Sequence, residues 1–143
     1  AVGVIQVSGA AVCDGGDPSA ERWFSTGDRG QMDEAGRLTL LGRADSMLIS
    51  GGEKVYPELV EEQLAGFPGI DEVAVSGRAD PVWGERLVAV YRGDIDEAAL
   101  AQLCRDGIAG AMRPRAFVKV DALPRTVNGK LDRGALRDLV ARL

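Results

Sequence analysis

The order of strand and helix patterns after Met47 restricts the fold of this 143-residue chain more than any other feature. Short runs rich in Val, Ile and Leu predict strands at "SMLIS", "IDEVAVSGR", "ERLVAVYRG" and "AFVKVDAL". Longer segments with helical spacing predict helices at "YPELVEEQLAGFPG", "DIDEAALAQLCRDGIAGAM" and "LDRGALRDLVARL", and the first two also have residues that begin or end helices. The order strand, helix, strand, strand, helix, strand, helix predicts a small α+β domain, in which helices cover a sheet.

Residues 1–44 follow a different pattern, with the strand-like runs "VGVIQV" and "RLTLLG" among many turn residues. A Gly- and Asp-rich stretch over residues 8–22 predicts a loop, and "DEAG" predicts a turn. We therefore expect residues 1–44 to form the β-rich end of a preceding domain, and residues 45–143 to form the α+β domain. Because the chain opens at Ala1 directly in a strand pattern, we also expect it to be a piece of a longer protein.

Composition excludes several classes of function. The net charge is −5 and no long basic run occurs, so we expect no nucleic-acid partner, since such binding needs clustered Lys and Arg. The sequence has no histidine, and Cys13 and Cys104 lack CxxC spacing, which argues against a zinc or other metal site and against an imidazole triad. Without a bilayer-length apolar run or a signal peptide, we expect no membrane span and a reducing, cytoplasmic location with both thiols buried.

Charged residues near the predicted domain boundary are candidates for ligand binding or for a hinge. "STGD" places Asp28 beside a glycine in a predicted turn, where its carboxylate could accept two hydrogen bonds from a ribose diol. The alternative is an Asx turn that only caps a loop. Arg43 and Asp45 flank one alanine, and they are either a solvated linker pair or, for Asp45, a pivot between two domain orientations.

Two glycine-containing turns in the second part of the chain have the same ambiguity. Gly51 and Gly52 allow positive φ or close approach of a ligand, but an ordinary tight turn needs the same residues. Lys130 ends the turn-rich "LPRTVNGK". A lysine on a mobile loop can deliver a point charge to a phosphate or carboxylate, whereas the alternative is a surface lysine beside a helix.

The motifs taken together resemble the ANL superfamily of adenylate-forming enzymes, which includes acyl-CoA synthetases, adenylation domains of nonribosomal peptide synthetases, and luciferases. The resemblance rests on "WFSTGD", "GRADSMLISGGEKVYPELVEE", "VAVSGRADPVWGERLVAV" and "LPRTVNGKLDR" in this order, from about Trp23 to Arg133. It implies a large N-terminal domain and a small C-terminal lid. It also implies that a carboxylic acid reacts with Mg-ATP to give an acyl-adenylate and pyrophosphate, after which the lid rotates and a thiol displaces AMP.

The resemblance implies roles for individual residues. Asp28 would hold the ribose hydroxyls, Arg43 would lie near the nucleotide, and Asp45 would be the hinge residue. Lys130 would bridge the acyl carboxylate and the phosphate during adenylation. A further group would line the pantetheine tunnel or contact CoA: Gly51, Gly52, Trp83, Arg113 and Arg115. The alternative for the two arginines is that they are ordinary surface cations.

The family's phosphate-binding loop and acyl pocket have no counterpart in this sequence. The resemblance therefore implies that ATP and Mg²⁺ are bound mainly by the chain's own N-terminal domain, which would be its partner. The other partners would be a small carboxylic acid and CoA. We expect the chain alone to catalyse neither half-reaction.

The style of "LISGGEKVYPELVE" is similar to acyl- and aryl-CoA ligases, whereas peptide synthetases usually have a different motif at this point. Together with "RWFSTGDRG" it is similar to the o-succinylbenzoate–CoA ligases of menaquinone biosynthesis, which is our first hypothesis for the substrate. Ligases for 4-coumarate, benzoates or fatty acids remain alternatives, as do a peptide-synthetase adenylation domain and a stand-alone docking module without activity. Acetylation of Lys130 would be compatible with the enzyme hypothesis.

Overall fold

The computed structural model describes residues 1–9, 12 and 23–143, and it divides into two compact units, Ala1–Ser46 and Met47–Leu143. Most of the loop predicted over residues 8–22, and Cys13 within it, lie outside the described residues. The assignment of residues 1–44 and 45–143 to two domains of a larger protein stays a prediction.

The first unit is a three-stranded antiparallel sheet with the strand order β1-β2-β3. Its strands are β1 (Val2–Ser8), β2 (Trp23–Met32) and β3 (Leu38–Arg43). The predicted "DEAG" turn joins β2 to β3. Asp33 stabilises it, because its Oδ1 accepts hydrogen bonds from the backbone N–H groups of Ala35 and Arg37, each at 2.9 Å.

The prediction that Asp28 lies in a turn is wrong, because "STGD" lies inside β2. The pairing of β1 with β2 shifts register at this point, so that Thr26, Gly27 and Asp28 bulge opposite Ile5. Gly27 has a φ of +76°, which permits the bulge, and the Thr26 hydroxyl donates to the Ile5 carbonyl at 3.1 Å. The local structure is therefore a bulged strand, and the bulge sets the direction of the Asp28 side chain.

The second unit is a five-stranded sheet with three α-helices, which confirms the predicted α+β class. β7 pairs antiparallel with β6 along its whole length, and its other edge is shared by β4 and, in parallel, β8. The strands are β4 (Leu48–Ser50), β5 (Glu53–Val55), β6 (Ile70–Asp80), β7 (Gly84–Gly93) and β8 (Ala116–Lys119). The helices are α1 (Pro57–Ala65), α2 (Glu97–Gly107) and α3 (Arg133–Ala141), with a 3-10 turn at Gly110–Met112.

The sheet of the second unit is covered on both faces, because successive side chains of a strand point to opposite sides. One face of β6 and β7 packs against α1 and α2 through a buried cluster that includes Val60, Leu64, Val75, Leu100 and Cys104. The other face packs against α3 through Ala74, Val88, Val90, Leu136 and Val140. The turns of the second unit therefore connect elements that pack in a hydrophobic core.

Cys104 lies in the first of these clusters, as the sequence predicted, and burial raises the pKa of its thiol to about 11. Among the described helices, none is long and apolar enough to cross a membrane.

Candidate functional site

The first unit places Arg43 at the centre of a small charged group. Arg43 lies directly opposite Asp28 in the register of β2 and β3, and its Nη1 is 3.5 Å from Asp28 Oδ1. The same nitrogen donates to the Thr26 carbonyl at 3.0 Å. A Cβ at Gly27 would lie 3.0 Å from Arg43 Nη2, so the guanidinium packs closely against this glycine.

Arg43 also binds Asp45, two residues further along the chain. Its Nε and Nη2 donate to the two carboxylate oxygens of Asp45 at 3.2 and 3.4 Å. The hydrogen bonds from Arg43 hold the pKa of Asp45 below its usual range. The structure thus brings Asp28, Arg43 and Asp45 together, and all three side chains remain accessible to a ligand.

In the second unit, Gly51 and Gly52 form the turn of the β4–β5 hairpin, with φ values of +59° and +81°. Such angles favour glycine at both positions. Gly51 packs closely on Trp83, because its N–H donates to the Trp83 carbonyl at 2.9 Å and a Cβ there would lie 2.9 Å from the indole ring. A Cβ at Gly52 would meet nothing within 4 Å, so this glycine borders open space.

The β6–β7 loop holds Trp83 through Asp80. Asp80 Oδ1 accepts hydrogen bonds from the N–H groups of Val82 and Trp83 at 2.9 and 3.0 Å. These bonds lower the pKa of Asp80, and the bond from Trp83 has the larger effect. The guanidinium of Arg115 stacks over the Trp83 ring, with its Cζ 3.8 Å from the ring centroid. Three of the five residues in the predicted group, Gly51, Trp83 and Arg115, therefore meet at the indole ring and form what we call the Trp83 surface.

Arg113 does not join this surface through any hydrogen bond, ion pair or ring contact in the described part of the chain. Its charge instead acts on Cys104, where it lowers the thiol pKa against the larger effect of burial. The structure thus separates the two arginines that the sequence treated alike.

Lys130 lies at the end of a closed turn over residues 126–130. Thr126 N–H donates to the Lys130 carbonyl at 2.7 Å, and Gly129 N–H donates to the Thr126 carbonyl at 2.9 Å. Gly129 has a φ of +80°, and Arg125 pairs with Leu131 across the base of the turn. The Lys130 ammonium has no hydrogen bond or ion pair with the residues that the structure describes, so its side chain is available to an external anion.

Two arginines flank this turn, and the sequence motifs gave neither a role. Arg125 Nη1 donates to the Gly129 carbonyl at 3.0 Å, while its Nη2 binds Glu72 on β6. Arg133, the first residue of α3, makes a bidentate ion pair with Glu61 on α1, at 2.6 and 2.9 Å. Opposite charge was the available signal, but Glu61 and Arg133 are 72 residues apart in sequence.

The family resemblance implies a magnesium ion, which proteins bind mainly through carboxylate oxygens. Residues 1–9, 12 and 23–143 include no group of three or more His, Cys, Asp or Glu side chains that could hold a metal ion. No such cluster is therefore available for the ion in this part of the chain.

The mixed sheet with its three helices matches a class of protein, the C-terminal domains of adenylate-forming enzymes. The chain belongs to the family described as the AMP-binding enzyme C-terminal domain, whose model matches residues 59–130, half of the chain. The match ends at Lys130, so it includes the turn that carries the lysine.

Relatives and solved structures agree with this family. The chain is 41% identical to a 2-succinylbenzoate–CoA ligase of Listeria monocytogenes over 118 residues, which are 81% of this chain and 25% of the relative. It is 42% identical to an indoleacetate–CoA ligase of Aromatoleum aromaticum over 142 residues, 96% of this chain and 26% of the relative. An o-succinylbenzoate CoA synthetase structure from Bacillus subtilis, in complex with its acyl-adenylate intermediate, matches with a TM-score of 0.75 and 36% identity, over 81% of this chain and 24% of that one. The chain thus spans about a quarter of the length of the curated relatives it matches.

Proposed function

We propose that this chain is the C-terminal part of an acid–CoA ligase, an enzyme that activates a carboxylic acid with ATP and transfers the acyl group to CoA. The observation that carries the proposal is the exposed Lys130 on a closed turn, within a domain that belongs to the AMP-binding enzyme C-terminal family. Residues 1–44 would complete the large N-terminal domain of the same enzyme, and residues 45–143 would form its lid.

In the first half-reaction, an oxygen of the acid's carboxylate attacks the α-phosphorus of ATP. The bond from this phosphorus to the bridging oxygen breaks, and pyrophosphate leaves with the bonding electrons. Both reacting groups are anionic, so a cation between them reduces their repulsion and orients them for attack. Lys130 is proposed as this cation, because its ammonium is exposed and has no ion-pair partner among the described residues.

In the second half-reaction, the thiol sulfur of CoA attacks the acyl carbon, and AMP leaves with the electrons of the broken carbon–oxygen bond. A lysine beside the adenylate would obstruct the thiol, and a lid that rotates away removes this conflict. Asp45 is proposed as the hinge, with Asp28 on the ribose hydroxyls and Arg43 near the nucleotide. The ion pairs of Arg43 with both carboxylates support a shared role for these three residues.

The surface formed by Gly51, Trp83 and Arg115 is proposed to bind CoA after rotation. The flat indole ring, stacked on a guanidinium, offers an aromatic face and a positive charge, which suit a nucleotide base and a phosphate. Gly52 borders open space at the adjacent turn, which leaves room for a thin pantetheine chain. Arg113 is retained only as a candidate for the CoA phosphates, because it makes no hydrogen bond, ion pair or ring contact with the Trp83 surface among the described residues.

The proposed acid is o-succinylbenzoate, as in menaquinone biosynthesis. The similarity to ligases named for 2-succinylbenzoate and for indoleacetate supports an aryl-substituted acid. 4-Coumarate, benzoates and fatty acids remain alternatives, because the acid would be selected by the N-terminal domain. The proposed location is the cytoplasm, where CoA and ATP are available.

The experiment that tests this proposal is an assay of the protein encoded by the native gene with ATP, CoA and a panel of acids. The panel contains o-succinylbenzoate, indoleacetate, 4-coumarate, benzoate and a medium-chain fatty acid, and AMP release is followed. CoA-dependent turnover of o-succinylbenzoate alone would support the whole proposal. Turnover of another acid would retain the mechanism and reject the substrate.

Two other outcomes of this assay would reject more of the proposal. Pyrophosphate exchange without transfer to CoA would indicate a carrier-protein thiol, as in peptide synthetases. No adenylation of any acid, with tight binding to a separate enzyme, would indicate a docking module. The purified 143-residue chain serves as a control, because the proposal requires that it show no ATP–pyrophosphate exchange by itself.

A further inference from the structure

We propose that Arg125 is a positioning residue for Lys130, and that Glu72 is the anchor that holds Arg125 in place. This inference rests on the proposed function, since it assumes that Lys130 acts in adenylation. It concerns the side-chain contacts that hold the turn carrying the lysine, which the sequence motifs do not identify.

The geometry connects the sheet to the turn in two steps. Glu72 lies on β6, paired with Arg92 of β7, and is thus part of the central pair of strands. Its Oε1 accepts a hydrogen bond from Arg125 Nη2, and its Oε2 is 3.6 Å from Arg92 Nε. The other terminal nitrogen of Arg125, Nη1, donates to the Gly129 carbonyl at 3.0 Å. One guanidinium therefore connects the rigid sheet to the residue directly before Lys130.

A hydrogen bond that fixes the Gly129 carbonyl also fixes the backbone nitrogen and Cα of Lys130. The carbonyl of Gly129 and the N–H and Cα of Lys130 belong to one planar peptide group. Gly129 itself gives little resistance to rotation, because it has no Cβ, adopts a φ of +80° and has no neighbour that a Cβ would meet. Without Arg125, the hydrogen bonds that remain within this turn, in the described part of the chain, are the backbone bonds of Thr126 with Gly129 and Lys130.

The contacts of Arg125 fit a positioning role better than a structural one. Its side chain is 47% exposed and that of Glu72 is 31% exposed, so this ion pair contributes little to stability. Arg133 provides the contrast, because it also bonds to the Val75 carbonyl and joins α1, β6 and α3 through Glu61. Removal of Arg125 should therefore leave the fold intact while it releases the turn.

The test uses the protein encoded by the native gene and measures each half-reaction by itself, with the acid found active in the panel assay. The variants are Lys130→Ala, Arg125→Ala, Arg125→Lys, Glu72→Gln and the double variant Lys130→Ala/Arg125→Ala. Arg137→Ala is the matched control, because Arg137 is an exposed arginine of α3 with no ion pair in the described part of the chain. Thermal unfolding of every variant is recorded alongside.

We expect Arg125→Ala to lower the single-turnover rate of adenylation by about tenfold to hundredfold, because small displacements of a catalytic group have effects of this size. The KM for ATP and the rate of thioester formation from supplied acyl-adenylate should stay within about twofold of the wild type, as should every rate of Arg137→Ala. Arg125→Lys and Glu72→Gln should have intermediate rates, because each retains part of the connection. The double variant should be no slower than Lys130→Ala, since Arg125 acts through the lysine.

Failures of the two proposals can be told apart. Normal adenylation by Lys130→Ala would reject the proposed function itself. Loss of adenylation in Lys130→Ala with a normal rate in Arg125→Ala would reject only the positioning role. A double variant that is slower than Lys130→Ala would mean that Arg125 acts on the substrate directly. If Arg125→Ala does not fold, normal adenylation by the folded variants Arg125→Lys and Glu72→Gln would overturn the inference.

Discussion

The two units of this chain differ in how completely they bury their apolar residues. The second unit covers both faces of its sheet, and residues such as Leu64, Val88 and Leu136 are fully buried there. In the first unit, the apolar side chains of the three strands remain largely exposed, with Trp23 at 63% and Leu40 at 61%. Gly30 is the one buried residue among those that the structure describes in Ala1–Ser46.

This difference in burial indicates that the two parts of the proposed enzyme are stabilised in different ways. A sheet with exposed Trp, Phe and Leu side chains is expected to need a further apolar layer, which the proposed N-terminal domain would supply. The second unit has its own core and can hold the Lys130 turn and the Trp83 surface in place. A lid that changes its position during catalysis requires such independence.

The largest effect expected from this comparison is on the free energy of unfolding. Leu136→Ala removes a fully buried side chain between α3 and the sheet, and should lower the free energy of unfolding of the chain by about 2–5 kcal/mol. Leu40→Ala in the first unit should change it by less than about 0.5 kcal/mol, because Leu40 is exposed. Urea denaturation followed by circular dichroism measures both changes in the free energy of unfolding. Equal changes for the two substitutions would contradict the difference in burial between the units.

A smaller effect is expected at the ion pairs of the two units. Arg133→Ala leaves Glu61 half-buried without its bidentate partner, and after allowance for solvent screening should cost about 1–2 kcal/mol. Arg37→Ala removes the exposed ion pair with Asp33 and should have no measurable effect. The same urea experiment in low and high salt checks this, since salt screens an exposed pair more than a half-buried one. A cost of Arg133→Ala that disappears in high salt would contradict the difference between the two pairs.

Substitution of either glycine in the β4–β5 hairpin should lower the free energy of unfolding by about 1 kcal/mol, and the change at Gly51 should also affect Trp83. Gly51→Ala and Gly52→Ala share the strain of a positive φ, but only Gly51→Ala also places a Cβ 2.9 Å from the indole ring. We expect a shift in Trp83 fluorescence for Gly51→Ala and none for Gly52→Ala, measured on a Trp23→Phe background. Identical spectra would show that Trp83 does not pack on Gly51 in solution.

The smallest effect concerns a single thiol in the core of the second unit. Burial keeps the Cys104 thiol protonated up to a pKa of about 11, above its usual value, so it should resist alkylation at pH 8 in the folded chain. After unfolding, its ordinary pKa returns and the reaction becomes fast. Peptide mass spectrometry after iodoacetamide treatment measures this, and rapid labelling of Cys104 in the folded chain would contradict a closed core.

Periodic and capping signals predicted most of the second unit. The predicted acidic cap of α2 is Asp96, which accepts a hydrogen bond from the Ala99 N–H, whereas the cap of α3, Asp132, which accepts from the Ala135 N–H, was not predicted. The pattern missed β5, because Glu53–Val55 is a three-residue strand with two charged residues beside a glycine turn. Such a short strand is defined by its pairing with β4, which the local sequence does not encode.

The candidate site shows the same limit. The sequence motifs gave Arg43, Trp83 and Lys130 as candidates, but not the contacts that hold them. Arg125 binds Glu72 across 53 residues of sequence, a pairing that only the closed sheet creates. Distant charge pairs have no periodic signature, and their partners can be recognised only after the topology is known.

Lys130 is proposed to act in the first half-reaction and to leave the adenylate before the second. The most direct test is Lys130→Ala in the protein encoded by the native gene, with adenylation and thioester formation measured separately. We expect adenylation to fall by about a hundredfold or more, while thioester formation from supplied acyl-adenylate stays within about twofold of the wild type. Equal loss in both half-reactions would contradict this proposal.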